Sequence, residues 1–362
     1  MKILLVSGPG ISLKEPYNSG IESFMVSFAK QLSAEGHEVD IIAAEADENS
    51  SFKIKNPFKS QHSAKHKYVE SQIEKFRFKN FPVASYDVIH YHMFYPHLLK
   101  AGLSFNKNIF LTLHSPPDAA RISVYSEVLK RGNFRFVAIS KRIKNLWDFA
   151  LQTDIPLINN GIDLDLWPVE KAVEKEYLLW SARINEEKNP AAAIKLAQKT
   201  QLPLIIAGRI ASQKYFDEQV KPHLNDQIRY VGHMTQQKLN GFAQRAFAFL
   251  ATATWQEPFG LAALEMLASG IPVVGFKTAV PPNWNDECVL VADSTDWQDL
   301  PDLVSKSFTV NAEKCRKFAS GMTVQKMTAD YISLFENVLN ESNKAVSVKE
   351  NQEVSQAATL VS

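Results

Sequence analysis

Only two cysteines, Cys288 and Cys315, occur in 362 residues, so neither a disulfide framework nor a thiolate metal site is on offer. No apolar run approaches the roughly 18 residues that a membrane span requires. The opening Met1-Lys-Ile-Leu-Leu-Val6 is apolar, but Ser7-Gly8-Pro9-Gly10 stops it short of a signal-peptide core. Neither sign of charge is in excess: the formal net charge is +1, which argues against an obligate polyanion binder. Familiar fingerprints are missing too. Gly8 and Gly10 start a Gly-x-Gly, but Leu13 stands where a dinucleotide loop needs its third glycine, and there is neither a Walker P-loop nor a Gly-x-Ser-x-Gly elbow. The expectation is a soluble, cytoplasmic protein without a nicotinamide site.

What is present is length and a repeating pattern. A chain of 362 residues is too long for one typical domain, and two of about 150–180 residues are the natural division. Short apolar strands at Ile3–Ser7, Glu38–Ala44, Asp87–Tyr91, Ile109–His114 and Phe134–Ser140 alternate with helical spacing, as in Gly20–Ala34 and the segment from Lys141. The pattern restarts at Tyr177–Ala182 and continues through Leu202–Gly208, Ile228–Gly232 and Ala246–Thr252. Such alternation implies parallel sheets with right-handed crossovers. Two Rossmann-like α/β halves are expected, residues 1–165 and 166–323, with a ligand cleft at the carboxyl ends of both sheets. An amphipathic helix is expected over 324–340, and 341–362 has the composition of a mobile tail.

The richest stretch is Glu257-Pro-Phe-Gly-Leu-Ala-Ala-Leu-Glu265, between the strand ending at Thr252 and the next at Val273–Phe276. It predicts a helix over Gly260–Ser269. The N–H groups of Phe259, Gly260 and Leu261 then sit at a helix N-terminus, where orphan donors and the helix dipole favour an anion. A carboxylate on either side of an anion site makes sense if the ligand also offers hydroxyls. A sugar nucleotide supplies both, with sugar and ribose flanking a diphosphate.

Other candidates lie at strand ends. Arg183 and Lys188, in a strand-to-helix loop, can neutralise a diphosphate; the alternative is two surface cations beside Glu186 and Glu187. Asn18-Ser19-Gly20 before a helix can bring amides close to a phosphate. His114 ends a strand. His90 and His92 share one strand face without a third metal ligand at a suggestive spacing, and Asp163-Leu-Asp165 is formally a DxD. Residues 52–79 mix eight Lys or Arg with Phe52, Phe58, Tyr68, Phe76 and Phe78. Such a segment docks on anionic lipid, or else is a solvated helix and loop whose aromatics cover the sheet.

Taken together, these segments resemble the retaining GT-B glycosyltransferases of family 4, in the glycogen-synthase-like superfamily. The resemblance rests on Ser19-Gly20-Ile21-Glu22, Gly36-His37-Glu38-Val39, Asp87-Val-Ile-His90, Val137-Ala-Ile-Ser140, Asn160-Gly-Ile-Asp163, Arg183 with Lys188, Val231-Gly232, and Glu257 to Glu265. It implies a GT-B fold, two Rossmann-like domains facing a cleft, with the last helix crossing back to the first domain. It implies hexose transfer from a UDP- or GDP-sugar to a hydroxyl acceptor with retained configuration, in glycan, lipopolysaccharide or glycoconjugate synthesis. No metal or other cofactor is needed, because the nucleotide sugar is a substrate. Gly20 would line the donor loop, Arg183 and Lys188 hold the diphosphate, Glu257 bind sugar hydroxyls and Glu265 the ribose. Phe259, Gly260 and Leu261 would present amides, Gly232 would join the donor-binding set, and His114 would act near the reacting sugar. The acceptor is a saccharide, lipid-linked or small-molecule hydroxyl, with peripheral contact at the inner membrane face through residues 52–79 and no nucleic acid. Ser19 and Ala182 depart from frequent glycines, and Ala279-Val-Pro-Pro-Asn-Trp284 from a common Gly-Gly-x-x-Glu turn. Two competing readings are a sugar-nucleotide 2-epimerase of similar fold and a non-catalytic sugar-nucleotide-binding protein.

Overall fold

Strands buried on both faces read as continuous apolar runs, and twelve of them build two six-stranded parallel sheets in this computed structural model. It describes residues 1–48, 50–58, 67–170, 173–284 and 286–341. The first sheet contains β1 Lys2–Val6, β2 Glu38–Ile42, β3 Lys53–Lys55, β4 Val88–Tyr91, β5 Ile109–Leu113 and β6 Phe134–Ala138. Its spatial order is β3-β2-β1-β4-β5-β6. The second contains β7 Tyr177–Ser181, β8 Leu204–Ala207, β9 Ile228–Tyr230, β10 Ala246–Ala251, β11 Val273–Phe276 and β12 Val289–Ala292. Its order, β9-β8-β7-β10-β11-β12, repeats the same topology. In each sheet the strand order reverses beside the first strand, and that switch point is where open α/β sheets bind ligands.

Helix starts are fixed by local chemistry. Ser140 caps Lys141–Leu151 by accepting the Ile143 N–H, and Asn189 caps Pro190–Thr200 through Ala192 N–H with proline at the first helical position. Before Gly20–Ala34, the buried Glu22 carboxylate accepts the amides of Asn18 and Ser19, at 2.5 and 2.9 Å. That capping arrangement gives serine a use at position 19 and pins the loop that precedes the helix.

A helix over 324–341 returns to the first sheet. Its Val324, Met327, Tyr331, Phe335 and Val338 join Ile3, Leu5, Met25 and Phe28 in one buried cluster. Tyr331 Oη lies 2.8 Å from Thr112 Oγ1 on β5, and its ring centroid is 4.9 Å from that of Phe28. Residues 342–361, within the expected tail, and the last residue lie outside the described residues.

The basic aromatic segment divides. Phe52, Phe58 and Phe78 are buried, and Arg77 donates to the Phe58 carbonyl; these side chains cover the sheet. Ile73 and Phe76 on Lys67–Lys79 stay exposed, at 44% and 70%. Residues 59–66, with Lys59 and Lys65, are outside the described residues, as are the side chains of Lys67 and Tyr68.

Truncating Tyr331 to alanine opens a cavity in a core shared by both ends of the chain. The expected cost is roughly 3–5 kcal/mol, read as a lower urea midpoint; an unchanged midpoint contradicts the shared core.

Candidate active site

Both switch points open onto one cavity of about 360 Å³. From the second domain, β10 ends in Thr252, whose Oγ1 accepts from Trp180 Nε1 at 2.9 Å and donates to the Asn189 carbonyl at 2.8 Å. Thr254 N–H donates to the Glu187 carbonyl at 2.9 Å. These bonds fasten the Arg183–Lys188 loop to the strand that leads into Glu257, so side chains 70 residues apart share one wall.

Gly260 then takes the left-handed conformation (φ +84°) as N-cap of Leu261–Ala268. That turn lays Phe259 to Ala263 along the cavity. Among the described residues, nothing is seen to accept the amides of Gly260 to Ala263, which leaves a row of donors at the positive end of a helix. From the first domain, Gly20 lies so close that a Cβ there would be 3.1 Å from Leu261 Cδ1.

Nine of the ten residues expected at the site line this cavity: Gly20, His114, Arg183, Lys188, Glu257, Phe259, Gly260, Leu261 and Glu265. Gly232 does not. Its carbonyl accepts the Gly208 N–H at 2.9 Å, tying two strand ends together, and the cavity wall is made by the next residues, His233 and Met234. Gly232 thus stands next to the wall without forming part of it.

Glu257 and Lys188 form an ion pair, both side chains about 15% exposed. Trp255 Nε1 donates to Glu257 Oε1 at 3.1 Å, and Lys188 Nζ stands 5.1 Å from the centre of the Trp255 ring. Arg183 lines the same cavity. Glu265 opens onto the cavity but is otherwise surrounded by protein, and burial pushes its carboxyl up to about 7, against a smaller opposing hydrogen bond from Gln236. Gln236 Nε2 is 3.2 Å from Glu265 Oε1 and 3.0 Å from Ser23 Oγ of the first domain.

His114 is half-buried at the cavity wall, and burial lowers its pKa to about 3, which favours the neutral imidazole. Its Nε2 sits 3.2 Å from His92 Nδ1, and the ring meets Phe24 edge-on at 5.0 Å. His90 passes its Nε2 to Thr112 Oγ1 at 2.7 Å. Among the described residues, no group of three or more His, Cys, Asp or Glu can hold a metal ion. The Asp163 carboxylate instead accepts the Asp165 N–H at 3.1 Å and caps a short turn. No described helix is long and apolar enough to cross a membrane.

Sequence reasoning missed Trp255, Gln236 and Asn160. Asn160 is buried at the cavity wall with its Oδ1 unpaired; its place in Asn160-Gly-Ile-Asp163 was a hint to it, as the position two residues before Glu257 was to Trp255.

Residues 18–166 match the family described as Glycosyltransferase Family 4, and residues 162–321 match Glycosyl transferases group 1. The chain belongs to the GT-B glycosyltransferases of family 4. This glycosyltransferase superposes on sucrose-phosphate synthase from Thermosynechococcus elongatus with a TM-score of 0.74 at 17% identity, over 94% of this chain and 99% of that one. A glycosyltransferase from Rickettsia africae gives 0.73 at 15% identity, over 93% and 98%. Anabaena HepE in complex with UDP and glucose gives 0.72 at 17%, over 93% and 100%. At these identities the likeness is one of fold. The glycogen synthase of Mycobacterium tuberculosis is 33% identical over 130 residues, which are 33% of this chain and 31% of that protein. The chain thus spans about a third of the length of the curated relatives it matches.

The Glu265 environment has a testable sign. Its folded pKa of about 7 lies above the ordinary 4.5, so its stabilising contribution is complete below about 4.5 and is lost as pH rises through 7. Glu265→Gln removes that loss. The variant should melt higher than the parent at pH 8 and nearly level with it at pH 5; equal melting shifts at both pH values would show that Glu265 carries no such penalty.

Proposed function

We propose that this glycosyltransferase moves a hexose from a nucleoside-diphosphate sugar, a UDP- or GDP-sugar, to a hydroxyl acceptor, with retention at the anomeric carbon and without a metal ion. The observation that carries this is the row of free amides from Gly260 to Ala263 with Arg183 and Lys188 on the same cavity. Three kinds of donor line one cavity, which is how a leaving phosphate is stabilised without a metal ion. Structural neighbours support the donor class: HepE was crystallised with UDP and with UDP-glucose.

Cleavage of the bond between the anomeric carbon and the phosphate oxygen sends its electron pair to the diphosphate. The amides, Arg183 and Lys188 take up that charge. The acceptor hydroxyl attacks the same face of the sugar, and its proton passes to the departing phosphate oxygen, so the products are a glycoside and a nucleoside diphosphate. Glu257 accepts from hydroxyls of the transferred sugar and Glu265 from the ribose. The Lys188–Glu257 pair joins a phosphate-binding group to a sugar-binding one, which puts the sugar–phosphate junction beside it. Neutral His114 hydrogen-bonds the sugar and takes no proton.

Lys188→Ala and Arg183→Ala each remove a charged hydrogen bond worth on the order of 1.5–3 kcal/mol. Turnover should fall at least about tenfold, with melting unchanged, in an assay of nucleoside diphosphate release from a panel of sugar nucleotides. Full turnover in either variant removes that residue from the phosphate site, and activity lost to a chelator and restored by a divalent ion contradicts the metal-free mechanism. Glu257→Gln should change the preference among donor sugars, whereas Glu265→Gln should weaken free nucleoside diphosphate and donor alike. An unchanged sugar preference in the first variant would falsify the assignment of Glu257.

One observation favours a lipid-linked acceptor at a cytoplasmic membrane face. Ile73 and Phe76 project from Lys67–Lys79 into solvent, next in sequence to Lys75 and Lys79. Apolar side chains flanked by cations suit an anionic bilayer. Flotation with phosphatidylglycerol vesicles should therefore weaken with salt, and weaken further in Phe76→Ser and in Lys75→Ala/Lys79→Ala. Absence of binding at low salt points to a soluble acceptor.

A further inference from the structure

Four hydrogen bonds between the two domains are made by one residue outside every donor contact described above. Arg142 is the second residue of the Lys141–Leu151 helix, at the carboxyl edge of the first sheet. Its guanidinium crosses to the second domain and donates to four backbone carbonyls. Nη1 reaches the Glu257 carbonyl at 2.6 Å and that of Thr278 at 3.1 Å. Nη2 reaches Val280 at 2.9 Å and Lys277 at 3.3 Å. Beside it, Ser140 Oγ donates to the Pro258 carbonyl at 2.5 Å while accepting the Ile143 N–H that caps the helix.

These acceptors are not scattered. The Glu257 N–H donates to the Thr278 carbonyl at 2.9 Å, and Thr278 Oγ1 donates to Ala253 at 2.6 Å. Segments 253–258 and 277–280 thus form one two-ply loop, and Arg142 holds both plies. The Glu257 peptide is gripped at each end, its N–H by Thr278 and its carbonyl by Arg142. The Glu257 carboxylate is engaged elsewhere, with Lys188 and Trp255, so Arg142 acts on the main chain that aims this side chain. A planar fork with five donors can serve several carbonyls at once, which a lysine ammonium on a flexible stem does poorly.

We propose that Arg142 is a positioning residue for sugar transfer: a first-domain side chain that sets the backbone of the Glu257 loop in the second domain, so that Glu257 is correctly aimed only while the two domains are in contact. The inference rests on the assignment of Glu257 to the transferred sugar. The groups proposed above for the diphosphate and ribose, Arg183, Lys188, Glu265 and the amides of Gly260 to Ala263, belong to the second domain, and Arg142 hydrogen-bonds none of them. Transfer, unlike nucleotide binding, therefore requires the closed pair, and a donor held by an open enzyme is spared wasteful hydrolysis.

The test uses the full chain. Arg142→Ala should speed hydrogen exchange of amides in 253–257 and 277–280, leave the affinity for UDP and GDP within about twofold, and lower nucleoside diphosphate release at least tenfold. The donor probe is a mixture of UDP-glucose, UDP-N-acetylglucosamine, GDP-mannose and ADP-glucose. Arg142→Lys should recover part of the loss, and Arg142→Gln, which keeps the side chain's bulk, repeats the measurement should alanine misfold. In a Glu257→Gln background the Arg142 substitution should cost less than twofold, because its effect runs through Glu257. Unchanged exchange, full turnover, or a loss that multiplies undiminished with that of Glu257→Gln overturns the role of Arg142 while leaving Glu257 in place. Full turnover of Glu257→Gln by itself removes the sugar assignment, and the inference with it.

Discussion

The left-handed turn at Gly260 is the constraint on which the site depends. A strand arriving at Thr252 and a helix leaving at Leu261 can meet here only through a residue that accepts φ +84°. Once that turn is made, Glu257 is placed ahead of the helix, Glu265 lies one turn inside it, and the amides between face the cavity. The other parts are fastened to this turn and do not stand independently. Thr254 and Thr252 tie the Arg183–Lys188 loop to the incoming strand, and Gly20 brings the first domain to within contact of Leu261.

The electrostatics of the site follow from burial. Burial leaves His114 neutral, with a pKa of about 3, and lifts Glu265 to about 7. Both shifts favour the uncharged form, as desolvation must, while the cations Arg183 and Lys188 stay at the cavity. Glu265 is the sharpest case: a carboxylate whose ionisation costs stability is kept on the cavity wall.

Much of the architecture was legible because it rests on local rules. The helix Gly20–Ala34 and the start of the helix at Lys141 coincide with their apolar spacing and caps, and the Glu257–Glu265 stretch announced its own strand–turn–helix. The departures have physical causes. Strand ends were read long, as at Ile228–Gly232, because a residue such as Gly232 can be apolar in context yet leave the ladder for a turn. In the basic segment, Phe58 and Phe78 turned inward while Phe76 stayed out, a choice made by the face of the helix and not by composition. Arg142 left no trace at all. Its partners are carbonyls, which every residue owns, so no pattern in side chains marks the acceptors. Gln236 was invisible for a related reason, and Asn160 was read as part of a motif without a role: amides become informative only when the fold shows what they face.

The helix over 324–341 has a consequence for how the chain is made. It supplies Tyr331, Phe335 and Val338 to the core beneath β1 and β5, yet it is synthesised after the whole second domain. During translation the first 165 residues emerge with Phe28, Val88 and Phe110 lacking their final cover, while the cluster of Leu178, Ile206 and Leu250 draws only on second-domain segments. The earlier-born half therefore completes this part of its core only after the later-born half has been synthesised.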